Sequence, residues 1–218
     1  MPALKPFFVA IVLASALAWQ GAAAGPFGAS ETRYTSLAAF EKWTGMWRRM
    51  AAQDAAPSSA ASRWALCPPD RLCSQDDFDA MVARLAGADP ALQMRELNLI
   101  LNRAPYIIDP VNWGVPDYWA TVREFLRKDG DCEDYVIAKY VALKRLGVPP
   151  GTMRIVVVDD LNLGVPHAVL AVAIDGQTWI LDNQVDMVLP DSAIHHYRPI
   201  YSINEEAWWL HSLPGGPR

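Results

Sequence analysis

The chain has 218 residues, 52% of them hydrophobic, and a formal charge of −5 at pH 7. Such a length and apolar content support a substantial core, and one domain is the first expectation. A mildly acidic chain without a basic run offers no electrostatic basis for binding nucleic acid.

Lys5 precedes an apolar run from Phe7 to Trp19, and Ala22-Ala23-Ala24 supplies the small residues that a signal peptidase reads. This pattern predicts a signal peptide over residues 1–24 and export; the alternative is a retained N-terminal anchor, for which the apolar run is short. Removing Lys5 with that segment takes the formal charge from −5 to −6. Export places the cysteines in an oxidising compartment, and three is an odd number. Cys67 and Cys73 bracket Pro-Pro-Asp-Arg-Leu and are close enough to bridge, which leaves Cys132 as the free thiol.

Ser36 to Met50 sets Leu37, Phe40, Trp43, Trp47 and Met50 at helical spacing, with Ser36 as its N-cap. An aromatic stripe of that kind is core, and residues 51–62, rich in Ala and Ser, form a connector. Residues 25–62 are thus an N-terminal helix and linker, and residues 63–218 the main domain. Asp76 to Leu85 is a short helix. Asp89-Pro90 opens another that runs to about Asn102, with Met94, Leu97 and Leu101 inward and Asn98 and Asn102 as an i, i+4 polar pair. Arg103 to Pro116 contains three prolines and Gly114, which makes it a long ordered loop of the kind that carries function. Helix returns from Asp117 to Leu126.

Gly130 then breaks the chain, and Cys132, Val136, Tyr140 and Leu143 recur on one helical face. Gly147 and Pro149-Pro150 stop that helix. Cys132 stands at its N-terminus, where unpaired N–H groups and the helix dipole favour a thiolate. Beyond Pro150 the texture becomes β: Met153–Val158, Ala168–Ile174, a hairpin turn at Asp175-Gly176, Thr178–Leu181 and Arg198–Ile203. Helices followed by antiparallel strands predict an α+β fold. Trp208-Trp209 in the tail are core rather than a docking surface.

His167 opens one strand and Asp182 ends the next, so antiparallel pairing across Asp175-Gly176 brings imidazole and carboxylate side by side. With Cys132 packed against that sheet, the three have the types needed for a nucleophile, its base and the group that orients the base. The bland alternatives are a buried structural cysteine and an ordinary cross-strand His–Asp pair. Asp131, Glu133 and Asp134 surround a thiol that must ionise, and like charges oppose this. Either a hard cation such as calcium neutralises them, or they are caps and dipole partners of the helix start.

Taken together, Gly-Asp-Cys-Glu-Asp-Tyr at 130–135, Ala138-Lys139-Tyr140, Leu146-Gly147-Val148, Arg154-Ile155, His167-Ala168-Val169-Leu170, Leu181-Asp182-Asn183 and Asp117-Tyr118-Trp119-Ala120-Thr121 resemble the bacterial transglutaminase-like cysteine proteinases. The resemblance runs from about Asn98 to Asn204. It implies a papain-like, transglutaminase-like fold, with Cys132, His167 and Asp182 matching the catalytic triad. LapG-type members are calcium-dependent periplasmic proteases that clip a giant surface adhesin and are held by a membrane-bound cyclic-di-GMP receptor. The resemblance therefore implies a periplasmic protein, Ca2+ as cofactor, and Asp131, Glu133 and Asp134 among its ligands. The Cys132 backbone N–H is expected to contribute to an oxyanion site. Two other readings stand beside a thiol endopeptidase: acyl transfer to an amine, which uses the same three residues, and a non-catalytic calcium-binding module.

Overall fold

In a computed structural model, residues 25–55, 67–68 and 70–212 are described. The expected signal peptide and residues 56–62 of the connector lie outside them. The helices are α1 (Glu41–Ala55), α2 (Gln75–Leu85), α3 (Pro90–Leu101), α4 (Asp109–Asn112), α5 (Val122–Lys128) and α6 (Cys132–Arg145). The strands are β1 (Ser30–Tyr34), β2 (Met153–Asp160), β3 (Val165–Ile174), β4 (Gln177–Leu181), β5 (Leu189–Pro190), β6 (Tyr197–Ile203) and β7 (Trp208–Ser212). All pair antiparallel in one sheet of order β1-β7-β6-β2-β3-β4-β5. The fold is α+β, as the order of elements in the sequence implied.

The central helix begins where its sequence directs. A Cβ at Gly130 would lie 2.1 Å from the Asp134 carboxylate, so only glycine lets that side chain fold back against the chain entering α6. At the other end Gly147 adopts φ +96, which favours glycine, and Pro149-Pro150 follow. From Asp134 to Tyr140 every residue of α6 is buried. The helix packs between α3, α5 and one face of the sheet, where Ile155, Leu170, Val172, Leu181 and Ile203 meet Val136, Tyr140 and Leu143. The other face carries a smaller core of Val156, Val158, Val169, Ala171, Ile180 and Tyr197, covered in part by Phe27 and Ile194.

Several boundaries differ from the sequence reading. Ser36 is not a cap: Leu37 and Phe40 form a turn, α1 starts at Glu41, and it continues through Ala55 into the expected connector. Its aromatic face is nevertheless core, with Trp43 and Met46 buried. The helix expected from Asp117 starts only at Val122, capped by Thr121 and Glu124 in a reciprocal capping box. Residues 118 and 120 stay outside the helix, where the Asp109 and Asp134 carboxylates take their backbone N–H groups. The loop 103–116 contains α4 and is tied to the start of α6 by the Ile107 N–H donating to the Gly130 carbonyl at 2.9 Å.

Strands β1 and β7 also went unforeseen. Trp208 stacks on Tyr34 at 4.4 Å, and Trp209 lies under the Arg154 guanidinium at 3.7 Å, so the tail tryptophans pack within the sheet. Cys67 and Cys73 are joined in a disulfide, and Cys132 is free. Among the described residues no helix is long and apolar enough to cross a membrane.

Candidate active site

The α6 N-terminus, the β3–β4 end of the sheet and the loop before α5 converge around Cys132. His167 is the third residue of β3, and Asp182 follows the last residue of β4. The register pairs Leu170 with Leu181, so by continuation Asp182 stands opposite Val169, and its partner His167 is a diagonal rather than a direct neighbour. Diagonal reach suffices for long side chains. His167 Nε2 lies 2.9 Å from Asp182 Oδ1, and both side chains are buried.

Asp182 is held by two further donors that the sequence reading did not name. The Gln184 N–H donates to Oδ1 at 2.9 Å, and the Tyr197 hydroxyl donates to Oδ2 at 2.6 Å. Burial alone would raise this carboxyl, but hydrogen bonding and charge from His167, with the Gln184 and Tyr197 donors, hold it below the usual carboxylate range. An ionised carboxylate only accepts, so the imidazole donates from Nε2. Tyr197 had a weak sequence signal, as the residue just before the expected strand at Arg198.

The Cys132 sulfur sits against the backbone amide of Ala168, the residue that follows His167. Its S–H donates to Glu133 Oε2 at 3.2 Å, and no hydrogen bond joins Cys132 to His167 among the described residues. Tyr106, from the loop 103–116, lies beside the sulfur. Burial first, then the charge and hydrogen bond of Glu133 and the charge of Asp131, push the thiol far above its ordinary value. Left alone, this cysteine is a poor nucleophile.

The acidic residues form two overlapping groups. Asp131 and Asp134 bring ligand atoms within 4.8 Å of Asp109, whereas Glu133 groups with Asp109 and Asp117. Asp109 belongs to both and was missed, although it is the one carboxylate between Arg103 and Pro116. Asp131 occupies the N-cap position but makes no side-chain cap bond. In the first group each carboxylate has one oxygen tied to a backbone N–H: Asp109 to Tyr118, Asp131 to Asp109 at 3.3 Å, and Asp134 to Ala120 at 2.7 Å. The other oxygens, Asp109 Oδ1, Asp131 Oδ1 and Asp134 Oδ2, are buried without a hydrogen-bond partner among the described residues. Burial, with repulsion inside the group, pushes Asp109 up to about 6 and Glu133 up to about 8, and raises Asp131 and Asp134 as well. Three converging, backbone-anchored carboxylates of this kind could hold a hard divalent cation.

A family model for bacterial transglutaminase-like cysteine proteinases (BTLCP) matches residues 68–212, more than half of the chain. Among solved structures, LapG of Legionella pneumophila is 32% identical over 61% of this chain and 75% of its own, with a TM-score of 0.56. The calcium-bound form of that LapG gives the same figures, and an EGTA-treated form covers 61% of this chain and 73% of its own at the same identity and TM-score. No curated protein matches the sequence. With the matched segment spanning α2 through β7 and enclosing Cys132, His167 and Asp182, the chain belongs to the bacterial transglutaminase-like cysteine proteinases and is a cysteine peptidase.

Proposed function

We propose that the protein is an exported, periplasmic, calcium-dependent thiol endopeptidase in which Cys132 is the nucleophile, His167 the general base and Asp182 the group that orients it. The observation that carries this reading is the buried His167–Asp182 pair, whose chain neighbour Ala168 touches the sulfur of a free cysteine at a helix start. Asp182 fixes the tautomer by accepting from Nε2, so Nδ1 takes the thiol proton as sulfur attacks the scissile carbonyl. The imidazolium then returns that proton to the leaving amine, and water, activated by the same nitrogen, hydrolyses the thioester. The Cys132 backbone N–H, at the first helical position, would donate to the carbonyl oxygen as it gains charge.

Asp109, Asp131 and Asp134 would hold calcium through their three partnerless oxygens, with Glu133 and Asp117 on the adjoining side. A bound divalent cation supplies the positive field that lets these carboxylates ionise and lowers the cost of a thiolate beside them. The calcium-bound and EGTA-treated forms of the Legionella LapG support calcium as the ion. The LapG likeness also supports a large surface adhesin as substrate and a membrane-bound cyclic-di-GMP receptor as partner.

The test is to incubate purified protein with calcium and a cell-surface protein preparation, add a labelled amine, and sequence any new N-termini. A discrete new N-terminus without amine incorporation supports endopeptidase action. Amine incorporation without cleavage would replace it with acyl transfer, and neither product would leave a calcium-binding module.

A further inference from the structure

Lys139 lies in the middle of α6, fully buried, and its Nζ has no hydrogen-bond partner among the described residues. A buried ammonium without a direct partner is costly unless nearby charges compensate it. The carboxylates that act on it are Asp182 and Asp186, both in the segment leaving β4, and the Tyr135 ring of its own helix stands 5.9 Å away. From α3, which packs on α6, two amides grip the same segment. Asn98 Nδ2 donates to the Val185 and Asp186 carbonyls at 2.8 and 2.9 Å. Asn102 Nδ2 donates to the Asp182 carbonyl at 2.9 Å and to Asp186 Oδ1 at 3.2 Å. The i, i+4 asparagine pair read from the sequence thus has a use that the catalytic reading does not absorb.

We propose that Lys139, with Asn98 and Asn102, is a positioning assembly that holds the Asp182–Asp186 segment so that the Asp182 carboxylate stays on His167. Three side chains from two helices converge on five residues that have no regular secondary structure, and Asp182 is the first of them. The amides fix the backbone of the segment. Burial pushes the Lys139 amine down to about 7 against the pull of Asp182 and Asp186, so below that pH its charged form, which those carboxylates favour, adds to the hold of the two amides. Lys139 touches neither substrate nor the reacting atoms, so its action passes through Asp182.

This inference rests on the catalytic reading of Cys132, His167 and Asp182, and the two fail separately. The probe is the rate of iodoacetamide alkylation of Cys132, the free thiol, in calcium at pH 6, together with the downfield proton resonance of His167 Nε2–H. Lys139→Met should slow alkylation about tenfold and shift or broaden that resonance, while in an Asp182→Asn background the same substitution should cost less than about twofold. An unshifted resonance, or an equal effect in both backgrounds, overturns the inference and leaves the catalytic reading intact. Retained proteolysis by Cys132→Ala would instead overturn the catalytic reading itself. Should Lys139→Met fail to fold, Asn102→Ala and Asp186→Asn decide: each should slow alkylation about threefold in the parent and not in Asp182→Asn, and parental rates in both overturn the inference.

Discussion

Two clusters of carboxylates flank Cys132, and they are built in opposite ways. At the sheet end, Asp182 receives His167, Gln184 and Tyr197 on its two oxygens and is held ionised. At the helix end, Asp109, Asp131 and Asp134 each leave a buried oxygen with no hydrogen-bond partner among the described residues and are pushed toward the neutral form. The first cluster is completed by the chain itself. In the second, backbone N–H groups have taken one oxygen of each carboxylate, and on the proposed reading a cation would complete it. On that reading, the base would be oriented by the chain alone and the nucleophile would depend on the ion.

The largest effects should come from the reacting groups themselves. Cys132→Ala and His167→Ala are each expected to reduce proteolysis by about a thousandfold or more, with thermal unfolding close to the parent, measured on the same preparation. Asp182→Asn should cost about a hundredfold, since it disturbs the orientation of the base and leaves the base in place.

Removing the ion should be nearly as severe. EGTA is expected to abolish cleavage and calcium to restore it better than magnesium, whose tight octahedral demand suits carboxylates already fixed to the backbone less well. Asp109→Asn then breaks the symmetry between the clusters. In EGTA it should leave the protein at least as stable as the parent, because it removes one of several mutually repelling acids; in calcium it should weaken binding about tenfold or more by calorimetry. Asp182→Asn should destabilise in both conditions, by roughly 1–3 kcal/mol, because it strips a carboxylate from three hydrogen-bond donors. Equal behaviour of the two variants in EGTA would erase the distinction drawn here.

The clusters should also differ in their response to pH. Asp109 is pushed from 3.8 to about 6 and Glu133 from 4.5 to about 8, so the metal-free fold holds protons that the unfolded chain has released. Stability of the metal-free protein contributed by these groups is therefore present at pH 4 and lost as pH rises toward 8. Calcium displaces those protons, so the rise in Tm on adding calcium should grow across the same window. Asp182, held below its usual value, works in the other direction: its contribution is present at neutral pH and is lost as acid protonates it. A calcium-induced Tm shift independent of pH would show that the helix-end carboxylates are already ionised without metal.

How much of this was legible depends on how local each cause is. Gly130, the apolar spacing after Cys132, Gly147 and the prolines fix α6 within a single stretch, and it runs from Cys132 to Arg145. Asp175-Gly176 forms the two-residue hairpin turn with both residues at positive φ, 52 and 77. By contrast, β1 is mostly exposed, with no clean alternation, and pairs Ser30 with Ser212 across the whole chain, a partnership no window of sequence contains. The late start of α5 has a similar cause, since carboxylates nine and fourteen residues away capture the amides of Tyr118 and Ala120. The acidic residues beside Cys132 were legible as a stretch, and their non-local neighbour was not. Asp131 and Asp134 are three apart in sequence, and Asp109, which groups with them, arrives through the loop that docks on Gly130, outside any window around Cys132.

The smallest expected effect sharpens the comparison from the satisfied side. Tyr197→Phe removes one of the three donors to Asp182 and leaves the His167 and Gln184 contacts, both of which fall on the other oxygen. A hydrogen bond from a neutral donor to a charged acceptor is worth about 1.5–3 kcal/mol, but Oδ2 is left partnerless and raises the cost of keeping Asp182 ionised. Asp182 should consequently pull less firmly on Nε2–H, and kcat should fall about three- to tenfold with KM unchanged, since Tyr197 is placed on the carboxylate and not in the path of a peptide. The loss should be the same at saturating and limiting calcium, because Asp182 lies outside the acidic groups at the helix end. A Tyr197→Phe defect that calcium repairs would join the two clusters into one network, and the division between a chain-completed base and an ion-completed nucleophile would fall with it.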